Sequence, residues 1–134
     1  MATEYILDGT RITSLETFYD EISRVVIPGH QWGRNLDALN DILRGGFGTP
    51  DEGFTIRWTH SAASKEKLSY SETARQLEAR LERCHPSNRE NVLQKLADAR
   101  AHVGPTVFDW LDEIISDHGP NGIQRVSNVR LLLE

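Results

Sequence analysis

Apolar residues recur along the chain with two different periods, which predicts alternating strands and helices. Short runs that are alternating or continuously apolar indicate three strands, at residues 4–7, 54–58 and 126–133. Helical spacing of apolar residues indicates five helices: residues 14–26, 36–44, 72–84, the segment after Ser87 and the segment after Pro105. Because a helical connection makes successive strands parallel, we expect the α/β class: a small parallel sheet of about three strands covered by helices, of the three-layer type.

Capping and turn residues place the boundaries of these helices. Capping-box spacing occurs twice, at Thr13 with Glu16 and at Ser87 with Glu90. Asn35 is a favourable N-cap for the helix over residues 36–44. The polar stretch 61–71 has no clear period and is compatible with a short helix.

The chain is predicted to form one domain spanning residues 1–134, because no repeat, low-complexity tract or long linker divides it. The helices on either side of His85-Pro86 are expected to pack as a hairpin, inserted at about residues 70–104. The run Leu131–Leu133 suits a final strand that is buried on both faces.

Charge is distributed unevenly along the sequence. The net charge is −5, with 7 acids and 4 bases in residues 1–50, 8 acids and 9 bases in 51–104, and 5 acids and 2 bases in 105–134. Acidic outer segments argue against nucleic-acid binding, which usually requires a basic face. They suit a basic protein partner, although an acidic surface that serves only solubility accounts for them equally well.

The expected location is the cytoplasm. No apolar run approaches the roughly 20 residues that a membrane span requires. The N-terminus lacks the basic and apolar regions of a signal peptide. Cys84 is the only cysteine, which excludes an internal disulfide and suits a reducing compartment.

Catalytic and metal-binding patterns are missing from the sequence, so we expect no enzyme, no cofactor and no metal. Gly45-Gly46-Phe47-Gly48 follows a helix and lacks a P-loop lysine, and no serine lies in a nucleophile-elbow pattern. Cys84 lacks local support as a nucleophile or a metal ligand. The five histidines have no zinc-site spacing and are expected at the surface or at helix ends, where His118 would gain from the helix dipole when protonated.

The helix over residues 36–44 carries an unusual pair of acids. Its apolar stripe consists of Leu36, Leu39, Ile42 and Leu43. Asp37 and Asp41 project together from another face, and like charges at this spacing destabilise a helix by a few tenths of a kcal/mol. Three explanations remain open: ion pairs with Arg34 and Arg44, a catalytic or cation-binding carboxylate pair, or contact with a partner.

The run Gly33-x-Asn35-Leu36-Asp37-Ala38-Leu39-x-Asp41-x-Leu43, ending in Gly45, closely resembles the hallmark of the barstar family. Members of that family are small intracellular inhibitors of secreted, barnase-type ribonucleases. The flanking strand, Pro28 and the aromatic-containing loop agree with it, as do the C-terminal helix and the last strand. The resemblance extends over roughly residues 4–60 and 105–133.

This resemblance implies an immunity or antitoxin-like protein whose acidic helix and preceding loop block the active site of a basic ribonuclease. The family's key acids correspond to Asp37 and Asp41, with Glu113 a weaker third, and the second motif acid occupies the nuclease's phosphate-binding site. Further partner-binding positions are Gln31, Trp32, Arg34, Asn35, Asn40 and Gly46. The family's best-known member has aromatic residues at the positions of Gln31, Asn40 and Gly46 and an acid at that of Arg34. The alternative is a barstar-fold module that binds a non-nuclease partner.

Overall fold

The residues that the structure describes form a three-stranded parallel sheet with six α-helices packed against it. The computed structural model describes residues 3–45, 48–50, 52–120, 122–124 and 127–134. Within these ranges the elements, in chain order, are β1 (Thr3–Asp8), α1 (Leu15–Val25), α2 (Leu36–Arg44), β2 (Phe54–Thr59), α3 (Ser61–Lys67), α4 (Tyr70–Arg83), α5 (Arg89–Arg100), α6 (Val107–Asp117) and β3 (Val129–Leu133). The predicted fold class is therefore confirmed. No helix in the described ranges is long and apolar enough to cross a membrane.

The sheet has the order β1-β2-β3, and both pairs of strands are parallel. Alternate residues of β2, Phe54, Ile56 and Trp58, are buried beneath the helices. Trp58 lies at the centre of this core, with its ring 5.5 Å from that of Phe18 and 5.2 Å from that of Phe108. The period-two pattern of β2 thus reports directly which side chains face the helices.

The opposite side of the sheet is partly open, and one expectation about the last strand is wrong. Leu132 is 45% exposed and Ile6 is 52% exposed. Between them, Arg57 lies within ion-pair distance of Glu4 and Glu134. The run of leucines in β3 is therefore not buried on both faces, because successive side chains of an edge strand alternate between the core and this open side.

Helix α1 begins with a capping box one residue later than predicted. The Ser14 hydroxyl accepts from the Thr17 amide, and the Thr17 hydroxyl accepts from the Ser14 amide at 2.8 Å. Glu16, expected to close the box with Thr13, instead extends to Arg75 and Gln76 of α4. The Glu16 carboxylate, which the local pattern assigned to the cap, therefore forms an ion pair with a residue that is distant in the sequence.

The second predicted capping box, at Ser87 and Glu90, is also wrong. A short 3-10 turn occupies Pro86–Asn88, and α5 begins at Arg89. The Ser87 hydroxyl lies 2.7 Å from Nδ1 of His85. Ser87 therefore stabilises the turn between the two helices rather than the start of α5.

Helices α4 and α5 pack against each other as the predicted helical hairpin. They enclose a small apolar cluster of Leu77, Leu96 and Ala99. Trp110 of α6 packs against both this cluster and the main core. The polar stretch 61–71, for which the sequence showed no clear period, contains the short helix α3. Trp110 therefore joins the hairpin to the sheet layer.

A buried carboxylate also ties the hairpin to α1. Glu72 is 7% exposed and accepts hydrogen bonds from the Leu15 amide at 2.9 Å and from Arg75 Nε at 2.7 Å. Arg75 Nη2 and Gln76 Nε2 donate two further bonds, at 2.8 Å and 3.0 Å. Burial raises the pKa of Glu72, but the bonds from Arg75, Gln76 and Leu15 outweigh it, so this pKa lies below its ordinary value of 4.5.

Replacing Glu72 with Gln should reduce the acid sensitivity of folding. A carboxyl group whose pKa is lower in the folded state than in the unfolded state stabilises the protein at pH values above its unfolded-state pKa. That stabilisation is lost as the pH falls through the folded-state pKa. The variant should lose about 1–2 kcal/mol of unfolding free energy at neutral pH. Its stability should then decline less than that of the wild type between about pH 5 and pH 3. Chemical denaturation at several pH values measures both effects.

The matched control is Glu78→Gln, which removes the same charge from the exposed ion pair with Arg100. Exposed pairs contribute about 0–1 kcal/mol. Parallel pH profiles for wild type and Glu72→Gln would contradict the assigned role of Glu72.

Candidate protein-binding site

The site begins with the N-terminal cap of α2. The Asn35 side-chain oxygen accepts from the Ala38 amide at 2.8 Å, and its Nδ2 donates to the Gly33 carbonyl at 3.3 Å. This cap satisfies an amide that would otherwise lack a partner in the first turn. Asn35 is therefore an N-cap, as its position in the sequence predicted.

The apolar face of α2 anchors the helix to the core. Leu39, Ile42 and Leu43 are each no more than 2% exposed, and Leu36 is half-buried against the same cluster. Burying side chains of this size contributes about 1.5–3 kcal/mol each. The predicted apolar stripe is confirmed, and the polar face of α2 is the side that remains available to a partner.

Trp32 anchors the loop that precedes α2. Its Nε1 donates to the Ser23 hydroxyl at 2.8 Å, and its ring meets that of Tyr19 edge-on at 5.4 Å. Both contacts are with α1. Trp32 is consequently half-buried, with part of its surface committed to holding the loop.

Arg34 also turns toward α1 and not toward the acids of α2. Its guanidinium pairs with Asp20 and lies 3.4 Å from the Glu16 carbonyl. The backbone at Arg34 has φ 50°, in the left-handed region. The ion pair proposed between Arg34 and Asp37 is therefore wrong.

Asn40 faces a buried histidine that the sequence did not bring into the site. His118 Nε2 lies 2.6 Å from Asn40 Oδ1, and its Nδ1 lies 2.9 Å from the Ser127 hydroxyl. Because an amide oxygen only accepts, Nε2 carries the hydrogen and Nδ1 accepts from Ser127. Gln124 donates to the same Asn40 oxygen at 3.2 Å. Asn40 thus connects α2 to the segment between α6 and β3.

His118 differs from the expectation of a surface residue that gains from the helix dipole. It caps the C-terminus of α6, but its side chain is 0% exposed. Burial, with a further contribution from the charge of Arg44, lowers the pKa of His118. The cost of burying an imidazolium exceeds the favourable effect of the helix end, so the neutral ring serves as a hydrogen-bonding link.

Asp37 and Asp41 are exposed on the polar face of α2. Asp41 has 63% of its side chain exposed and one ion pair, at 3.3 Å, with Arg44 of its own helix. Arg44 is also engaged elsewhere, because its Nε donates to Gln124 at 2.6 Å. Asp37 has no ion pair or hydrogen bond with any side chain in the described ranges. The predicted pair of Asp41 with Arg44 is confirmed, and both carboxylates remain open to an incoming cation.

The remaining predicted positions lie around this face or outside the described residues. Gln31 is exposed in the loop. Glu113 is exposed on α6 and lines, together with Leu36, a cleft of about 560 Å³ between α2, the hairpin and α6. Gly46 lies outside the residues that the structure describes. Glu113 is therefore placed beside α2, as an acid at the edge of the same surface.

The chemical groups that the site presents are the exposed carboxylates of Asp37 and Asp41. Within the ranges that the structure describes, no group of three histidine, cysteine or acidic side chains could hold a metal ion. Cys84 is half-buried, with its Sγ 3.6 Å from the Leu81 carbonyl. The arrangement presents negative charge on a rigid helix, which suits binding to a positively charged surface.

Comparison with known proteins yields one family. The family model described as Barstar (barnase inhibitor) matches residues 2–104. Among curated proteins, none matches the chain. The family match confirms the resemblance carried by the α2 motif, but its coverage differs: it includes residues 61–104 and ends before α6.

Asn40→Ala should destabilise the protein because it leaves the buried His118 N–H without an acceptor. The expected loss is about 1–3 kcal/mol of unfolding free energy, measured by chemical denaturation. Gln31→Ala is the control, since Gln31 is exposed in the same surface and should change stability by less than about 0.5 kcal/mol. Equal stability of the two variants would contradict a structural role for Asn40.

Proposed function

Because the chain belongs to the barstar family of barnase inhibitors, we propose that it blocks the active site of a basic ribonuclease with α2 and the loop before it. The family is one of inhibitors and not of enzymes, and membership implies binding of a barnase-type ribonuclease. One observation supports the proposal that α2 blocks the active site. Asp37 and Asp41 are exposed on a helix whose other contacts hold it in place.

Two carboxylates one helical turn apart are suitable replacements for substrate phosphates. A ribonuclease must attract a polyanion, so its active site requires cationic side chains. Arginine binds carboxylates and phosphates with the same forked geometry, often through two parallel hydrogen bonds. Asp41, whose only partner in the described ranges is the exposed Arg44, is the acid that we place in the phosphate-binding site. Asp37 lies beside it, and Glu113 at the edge.

The residues behind this face support binding by keeping it rigid. Trp32, Arg34, Asn35 and Asn40 each make hydrogen bonds within the chain. Ordering a loop or a side chain on binding costs free energy, so a surface that is already ordered binds more tightly with the same contacts. We therefore assign these four residues chiefly to positioning, and Gln31 to contact with the nuclease.

The chain's net charge of −5 supports rapid association with a basic nuclease. Complementary fields accelerate encounter, and salt weakens the effect. An inhibitor of this kind protects RNA in the cell that makes the nuclease, so the proposed place of action is the cytoplasm.

Asp41→Asn should weaken inhibition strongly while preserving the shape of the side chain. We expect a loss of about 2 kcal/mol or more, roughly 30-fold in the dissociation constant, because the nuclease's cations would lose their carboxylate. The measurement is inhibition of RNA cleavage by barnase, and by any nuclease encoded beside the gene for this chain.

Glu66→Gln is the matched control. It removes one negative charge from an exposed position on α3, so it changes the long-range field without touching α2. Equal losses for Asp41→Asn and Glu66→Gln would contradict the assignment of α2. A wild-type chain that binds a protein other than a nuclease, and inhibits none of the nucleases tested, would favour the alternative of a module for a non-nuclease partner.

A further inference from the structure

A basic cleft adjoins the acidic face of α2. It lies between α1, the start of α2 and α4, has a volume of about 540 Å³, and is lined in part by Asn35 and Asp37. Because these two residues belong to the proposed nuclease-binding surface, a protein seated on α2 would also cover the mouth of this cleft.

The charge of the cleft is opposite to that of the chain. The charged lining residues are Arg34, Arg75, Arg80 and Arg83, with Glu16 and Asp37. Four cations and two anions give the lining a positive balance, whereas the whole chain carries −5. The cleft therefore attracts negative groups, even though the protein as a whole repels them.

Among the described residues, two of the four arginines have no acidic partner. Arg75 pairs with Glu16 and Glu72, and Arg34 pairs with an acid of α1. Arg80 lies over the ring of Trp110, with its guanidinium carbon 5.5 Å from the ring centroid. In the part of the chain that the structure describes, no carboxylate lies within ion-pair distance of Arg80, and none within that distance of Arg83 at the end of α4.

Tyr19 completes the polar lining of the cleft. Burial, and then the negative charge of Glu16, raise the pKa of Tyr19 to about 12. Its hydroxyl therefore stays protonated at neutral pH and can donate a hydrogen bond. The lining offers guanidinium and hydroxyl donors, a set that suits a carboxylate.

On the basis of the proposed function, we infer that this cleft receives an acidic side chain of the same nuclease that α2 inhibits, with Arg80 and Arg83 as its partners. The nuclease would then present a basic active site with an acidic segment beside it. Binding would depend on two contacts of opposite polarity, and the second contact would select among nucleases that all have basic active sites.

Reversing the charge of Arg83 tests this inference, because long-range attraction and a local contact predict opposite changes in binding affinity. Arg83→Glu makes the inhibitor more acidic, so long-range attraction to a basic nuclease alone would leave binding unchanged or tighten it. A local contact with an acid of the nuclease would instead weaken binding, by about tenfold or more, mainly through faster dissociation. Surface plasmon resonance with the nuclease that the wild type inhibits measures both rates.

Arg130→Glu is the matched control. Arg130 is exposed on β3 and has no ion pair among the described residues, so its reversal changes the net charge equally but lies on another element. Thermal unfolding of both variants checks that they fold, and the milder Arg83→Ala should weaken binding in the same direction. Equal binding of Arg83→Glu and Arg130→Glu would overturn the role of the cleft while leaving the role of α2 intact. If Asp41→Asn also had no effect, the proposed function itself would fail.

Discussion

A nine-residue helix such as α2 cannot hold its own conformation in water, since isolated helices shorter than about 12–15 residues are marginal. Everything proposed for this protein depends on the contacts that compensate for this. The apolar stripe binds α2 to the sheet layer, Asn35 caps its start, and Asn40 connects it to the buried ring of His118. These contacts come from elements at both ends of the chain. The acidic face of α2 therefore depends on the whole fold, although the residues that form it are close together in the sequence.

The sequence predicted those features that depend on neighbouring residues. The apolar period of α2, the cap at Asn35, the alternation of β2 and the exposure of the acids all follow from local spacing. Some errors arose because a side chain binds a residue that is distant in the sequence: Arg34 pairs with Asp20 rather than Asp37, and Glu16 pairs with Arg75 instead of closing the cap with Thr13. The contact between Asn40 and His118, 78 residues apart, was likewise not foreseen. A polar residue gives no signal of such a partner, because spacing within one element does not encode contacts between elements.

The same limitation applies to charge. Counting charges along the chain correctly indicated acidic outer segments and a nearly neutral middle. It could not show that arginines of α4 and residues at the start of α2 line one cleft. The spacing of these arginines within α4 does not predict the cleft, because the cleft exists only when α4 is packed against α1. The folded protein thus places acidic and basic surfaces next to each other, and we propose that a partner meets both. Net charge influences how quickly the protein meets a basic partner, whereas specificity depends on how the acidic and basic surfaces are arranged locally.

The most direct test of the central claim is a crystal structure of the chain bound to a barnase-type nuclease that it inhibits. We expect the carboxylate of Asp41 to lie within hydrogen-bond distance of cationic side chains in the nuclease's active site. We also expect the backbone of α2 and its preceding loop to superpose closely on that of the free protein. A complex in which α2 remains exposed to solvent, with the nuclease bound through the α4–α5 hairpin, would contradict the proposed role of α2.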